Sequence, residues 1–182
     1  MLRKYFKKHS YTLKEFFNDV LFLFQNFNRI FEALKTKRIN KQFREKILLA
    51  VTAVNKCKYC SFGHSLIALK TGCTREEISR IMKKDFSNSK PNEIIALTYA
   101  QHYAETKRNP DPDATKKFLS YYGVKKARDI LLFIHMMEMG NLLGNTIDAF
   151  KSRMKGIPPK DGSIFLELFL FILSYPFLLI YP

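Results

Sequence analysis

Tryptophan is absent from the 182-residue chain, and cysteine occurs only three times. Three cysteines in a chain of this size exclude a disulfide scaffold. Strand signals are also scarce. Few stretches alternate apolar and polar residues, and no Asn-Gly or Asp-Gly turn joins two alternating runs, so a β-sandwich or barrel is not expected. No cleavable leader is read at the N-terminus, because Lys14, Glu15 and Asp19 break the first apolar run and no small-residue cleavage site follows. The expected setting is therefore reducing and cytoplasmic. There, a close pair of cysteines is more often catalytic or metal-binding than structural. Acidic residues are the other shortage, 16 against 31 Lys and Arg, leaving a net charge of +15. That balance favours anionic partners. No nucleic-acid-binding motif accompanies it, so nucleic acid is not an expected partner.

What is present reads as helix throughout, and the expected fold class is all-α. Thr12 and Glu15 form a capping box at the start of 12–35, and Thr74 and Glu77 form another before 75–84. Phe43, Ile47, Ala50, Val51 and Val54 recur at helical spacing in 41–57. A helix beginning near Cys60 ends at Gly72, in the position after the cap that favours glycine. Residues 92–106 form a further helix, followed by 113–122 and 124–154, with Gly140 and Gly144 as candidate breaks in the last. Three regions follow from composition: a basic, aromatic-rich N-terminal extension over 1–39, a core domain over 40–158, and a linker with an apolar tail over 159–182.

The chemistry concentrates in 57-CKYCSFGH-64. Cysteines at i and i+3 share a helical face and reach each other with little backbone movement. Unpaired N–H groups in a first helical turn favour a thiolate. His64 lies one turn beyond Cys60 and exchanges protons near neutral pH. Glu45 begins the apolar face of the preceding helix, and antiparallel packing brings its carboxylate toward the pair. A structural zinc site needs four ligands. Cys57, Cys60 and His64 supply three, and Cys73 lies past the end of their helix. A c-type haem needs histidine directly after the second cysteine, where this chain has Ser61. His102 and His135 read as hydrogen-bonded packing residues, Met136, Met137 and Met139 as core or subunit contact, and Asn145 and Asp148 as site lining or helix-end groups.

The pattern Glu45–x11–Cys57–x–Tyr59–Cys60–x3–His64, with a helix ending at Gly72, resembles the AhpD-like alkylhydroperoxidase branch of the carboxymuconolactone decarboxylase superfamily. The stretch 144–158 is similar to the end of the core domain in peroxidase-related members. The resemblance implies an all-helical domain assembled as a homo-oligomer, a trimer or hexamer. It implies an organic hydroperoxide as substrate, Cys60 as the attacking thiol, Cys57 as the resolving one, and Glu45 and His64 as a proton relay. No bound cofactor is implied; a dithiol-carrying reductant protein would restore the pair. Decarboxylase members lack the two cysteines. The best-known branch has a second histidine at the place of Tyr59, which hydrogen-bonds but is a poor base, since its reference pKa is about 10.

Two other readings stand beside the peroxidase: a general thiol–disulfide oxidoreductase, and a non-catalytic redox-sensing helical oligomer. The tail 163–182 also carries two. It is either a membrane-associated helix, with Lys151, Arg153, Lys155 and Lys160 keeping the domain on the cytoplasmic face, or a helix buried in an oligomer. Glu167 and Pro176 both weaken a simple membrane-spanning segment.

Overall fold

The structure is a computed structural model describing residues 5–178. Among the described residues it is all-α. The helices are α1 (Leu13–Lys35), α2 (Lys41–Asn55), α3 (Lys58–Lys70), α4 (Arg75–Met82), α5 (Pro91–Glu105), α6 (Pro112–Met154) and α7 (Ile164–Leu178). The only strand-like feature described is an isolated bridge between Phe6 and Pro159, which lays the N-terminal segment beside the linker after α6.

Local sequence sets most of the boundaries. Both capping boxes form, at Thr12–Glu15 and Thr74–Glu77. Gly72, at φ +96°, ends α3 as expected: its N–H bonds to the Leu69 carbonyl and that of Cys73 to the Ala68 carbonyl. Those are the paired bonds that close a helix through a left-handed residue. Two boundaries differ from expectation. α3 begins at Lys58 rather than near Cys60, because Lys56 turns left-handed after α2 and makes Cys57 the N-cap. α6 passes unbroken through Gly140 and Gly144, while its kink at Gly123, whose φ of 71° and ψ of 157° suit glycine, falls between the expected helices 113–122 and 124–154.

α2 is the central strut. Ile47, Leu49, Ala50 and Val51 are wholly buried and join Leu97 and Ala100 of α5 and Ile130 and Ile134 of α6 in one core. The Ile, Leu and Val side chains among them contribute roughly 1.5–3 kcal/mol each when removed from water. The second half of α6 lies behind α2 and α3. α7 docks on α6 by burying Leu166 and Leu170, and Glu167, which weakens a spanning helix, is here buried and paired with Arg153 at 2.8 Å. One described helix, Pro112–Met154, is long and apolar enough to cross a membrane, but 67% of its apolar 18-residue window is buried inside the fold, as in the core helix of a globular domain.

α1 is fastened by charge. Asp19 is 2% exposed and receives Arg108 through both nitrogens of its fork, at 2.5 and 2.9 Å, and the Tyr11 hydroxyl at 2.7 Å. His135 Nε2 stands 3.3 Å away and its Nδ1 pairs with the Tyr103 hydroxyl at 2.9 Å, so His135 is a packing residue. His102 accepts the Asp111 N–H at 2.9 Å in the same manner. Burial alone would raise the Asp19 pKa, but its bonds to His135, Arg108 and Tyr11 bring it down to about 2. A depressed carboxyl stabilises the fold above its unfolded pKa and loses that contribution as pH falls through the folded value. Asp19→Asn is expected to cost about 3 kcal/mol at neutral pH, the scale for breaking a buried pair. In denaturant melts, its deficit relative to wild type should narrow between pH 4 and about 2.

Candidate active site

Cys57 and Cys60 sit at disulfide distance, with Cα atoms 5.4 Å apart. Their environments are unequal. Cys57 is completely buried at the N-cap of α3, where its sulfur accepts the Cys60 N–H at 3.3 Å. Cys60 is in the first turn and half-buried, and opens onto a cavity of about 350 Å³. First-turn N–H groups lower the cost of negative charge on sulfur at this end of the helix.

Four contacts hold the pair in place. Asn145 Nδ2 donates to the Asn55 carbonyl at 2.8 Å, and Asn55 Nδ2 donates to Glu138 Oε1 at 2.7 Å. α6 thereby satisfies and anchors the end of α2, two residues before Cys57. Gly144 of α6 then backs the sulfurs directly. A Cβ there would stand 2.5 Å from Cys57 Sγ, 3.4 Å from Tyr59 and 3.6 Å from Cys60 Sγ. One turn earlier, the Gly140 carbonyl lies 3.5 Å from Cys60 Sγ, within reach of a reduced thiol.

Glu45 and His64, expected from sequence to form a proton relay, are bonded to each other beside this pair. His64 Nδ1 bonds Glu45 Oε2 at 2.7 Å, across α2 and α3. Glu45 is buried and has Arg44 Nε 3.5 Å from its other oxygen, while His64 lines the cavity beside Cys60. The bond to Glu45 fixes the imidazole orientation and leaves Nε2 for proton exchange. Tyr59 does something else. Its hydroxyl donates to Asp148 Oδ1 at 3.0 Å and accepts from Lys151 Nζ at 3.1 Å. Lys58 and Lys8 also contact Asp148, at 2.8 and 2.9 Å. Burial pushes the Asp148 carboxyl up, and Lys58 and Lys8 more than reverse this, holding it below the usual carboxylate range.

Gly140, Gly144 and Lys151 carry weight that sequence reasoning did not assign. The signal was the spacing of two glycines by one turn on a helix that did not break. Cys73 is buried away from the cavity, and burial raises its thiol pKa, which suits an inert residue. Among the described residues, no three His, Cys, Asp or Glu side chains group to hold a metal ion.

The fold and site define an all-helical protein with a Cys-x-x-Cys pair at a helix N-terminus. Residues 23–101 match the model of the Carboxymuconolactone decarboxylase family, and this match supports that superfamily. The matched segment runs from within α1 to within α5 and includes Glu45, Cys57, Tyr59, Cys60 and His64. No curated protein and no solved structure matches the chain.

Gly144→Ala tests the close backing of the sulfurs. The added methyl should destabilise the oxidised protein by about 1–3 kcal/mol, as overpacking does, and the reduced protein by less, because a free Cys57 side chain can rotate away. Denaturant melts with and without reductant measure both.

Proposed function

We propose that the protein is a thiol-dependent peroxidase of the AhpD-like type, reducing organic hydroperoxides through a Cys57–Cys60 dithiol/disulfide cycle. The observation that carries this reading is the asymmetry of the pair: Cys60 opens on a cavity beside a Glu45-oriented histidine, while Cys57 waits behind it, fully buried. Cys60 thiolate attacks the terminal peroxide oxygen. An S–O bond forms, the O–O bond breaks, and the leaving alkoxide takes a proton through His64. The sulfur is left as a sulfenic acid, oxidised by two electrons, and the peroxide as an alcohol. Cys57 then attacks that sulfur, forming the disulfide and releasing water. An external dithiol returns two electrons and two protons, entering at Cys60 because Cys57 is inaccessible.

Glu45 and His64 act as the relay in this scheme. Tyr59 is occupied by Asp148 and Lys151, so it orients the edge of the site and moves no proton. General thiol–disulfide exchange uses the same pair without the peroxide step. We further read the protein as a homo-oligomer. The outer face of α1 exposes Phe17, Leu21, Phe24, Phe27, Phe31 and Leu34, a stripe of the kind that marks an interaction surface. On this reading the catalytic domain works on the cytoplasmic side.

Turnover of a simple alkyl hydroperoxide with a small dithiol tests the assignment. Wild type should turn over continuously. Cys60→Ser should lose all activity. Without the dithiol, Cys57→Ser should consume about one equivalent and leave a sulfenic acid that a dimedone probe captures on Cys60, where wild type closes to the disulfide. Equal residual activity in the two variants would contradict the assigned roles. Glu45→Gln should lower the rate about 10²-fold, the scale of general acid–base assistance.

A further inference from the structure

α1 is buried against the rest of the fold at two places, Asp19 and Ala33. Roughly 21 Å of helix separates them, at about 1.5 Å per residue. Over that span a groove opens between α1 and α6. Phe22, Asn26 and Arg29 line it from α1, and Arg128, Leu131, Leu132 and His135 line it from α6. Each set recurs at the three- and four-residue spacing of a single helix face. The face that a helix turns toward its neighbour is usually apolar throughout. Here it carries an arginine on each helix and leaves a cavity of about 310 Å³, with a second of about 160 Å³ beside it.

Arg29, Arg128 and Leu132 line both cavities, so the two meet there. The smaller cavity adds Arg38, Lys125, Glu32 and Asp129. Arg38 takes both acids, donating to Asp129 Oδ2 at 2.6 Å and to Glu32 Oε1 at 3.0 Å. Arg29 has a neutral partner, donating to Asn26 Oδ1 at 3.2 Å. Among the described residues, Arg29, Lys125 and Arg128 have no acidic partner. Two guanidinium groups on different helices therefore border one space with no free acid beside them. Like charges so placed repel. An anion between them removes the repulsion and accepts from their planar forks.

The larger cavity suits an apolar body. Its polar side chains are already engaged with one another or with the backbone. Asn26 Nδ2 donates to the Phe22 carbonyl at 2.9 Å, and the Tyr103 hydroxyl pairs with His135 Nδ1 at 2.9 Å. His135 Nε2 stands 3.3 Å from Asp19 Oδ1, and the Phe22 ring rests on the His135 ring with centres 4.0 Å apart. What remains for a ligand is ring and alkyl surface from Phe22, Leu131 and Leu132.

We propose that this groove binds an organic anion, a single carboxylate or phosphate group on a short apolar body. The anionic group sits between Arg29 and Arg128 with Lys125 near it, and the body fills the larger cavity. That cavity, about 310 Å³, has the size of a small-molecule site. The ligand touches α1 and α6 together, so its binding fastens α1 to the fold. The groove shares no lining residue with the cavity beside Cys60, and the assignment does not depend on the peroxidase reading.

Calorimetric titration of the full chain tests it with four probes: octanoate, octyl phosphate, octanol and acetate. Octanoate or octyl phosphate should bind at one site per chain, at least about tenfold tighter than octanol, which lacks the charge, and acetate, which lacks the body. Whichever of the two binds tighter identifies the head group, and either result supports the assignment. Shortening octanoate to hexanoate should weaken binding about tenfold, as two methylenes leave apolar contact. Arg29→Gln and Arg128→Gln should each weaken octanoate at least about tenfold and leave octanol unchanged, a split that misfolding does not produce. Leu143→Gln, at the cavity beside Cys60, and Lys107→Gln, on a distant loop, should change neither. Bound octanoate should also raise the denaturant midpoint of wild type but not of Arg128→Gln. Equal affinity for octanoate and octanol overturns the assignment. So does octanoate binding that survives both arginine variants, the sign of general attraction to a basic chain. Loss of binding in Leu143→Gln alone places the ligand beside Cys60 and overturns it as well. Binding seen only on dilution, as an oligomer comes apart, shows that a second copy fills the groove, and this also overturns it.

Discussion

The contact between Gly144 and the Cys57 sulfur governs how this site is assembled. With 2.5 Å between a hypothetical Cβ and Cys57 Sγ, no side chain larger than hydrogen fits there unless something shifts. α6 can therefore lie close behind the N-terminus of α3, and Cys57 is sealed from solvent while Cys60 is not. The left-handed turn at Lys56 is part of the same constraint, since it ends α2 and makes Cys57 the cap of the next helix. Asn145, beside Gly144, bonds the last residue of α2 and holds that turn in register. Backing, capping and turn together make the two sulfurs unequal, and unequal sulfurs are what an ordered dithiol cycle requires.

Charge is distributed around the pair according to burial. On one side, Glu45 is taken out of water and bonded to a histidine that remains at the cavity, an arrangement suited to moving a proton. On the other, Asp148 is paired with Lys8 and Lys58 and accepts from Tyr59, an arrangement that fixes the Tyr59 hydroxyl at the edge of the site. The same helix, α6, carries Gly140, Gly144, Asp148 and Lys151 on successive turns, so it sets the packing of the sulfurs and also holds the Tyr59 hydroxyl. α7 reaches the cavity through Ser174, while Phe165, Phe169 and Ile172 face outward.

Much of this was readable from local sequence. The capping boxes at Thr12 and Thr74, the glycine stop at Gly72 and the all-helical class depend on neighbours within one turn, and the structure shows them. Cys57, Cys60 and His64 were legible together because their spacing belongs to one helix. Glu45 could be added because it heads the buried face of the preceding helix. What depended on contacts between distant elements was not legible. Gly140 and Gly144 looked like helix breaks because nothing nearby in sequence reveals a sulfur lying against them. Lys151 was read only as a charge flanking the tail, because its partner, Tyr59, is 92 residues away. Glu167 read as a flaw in an apolar tail, and only the fold shows Arg153 meeting it.

The central claim is that the two cysteines act in order on a peroxide, and mixing reduced protein with one equivalent of hydroperoxide under rapid quench tests it most directly. Intact mass and alcohol release are followed together. The account predicts one alcohol per Cys57–Cys60 disulfide, with oxidation at least about 10²-fold faster than a free thiol of unperturbed pKa shows at the same pH. Oxidation no faster than that reference, or disulfide formation without stoichiometric alcohol, would contradict it.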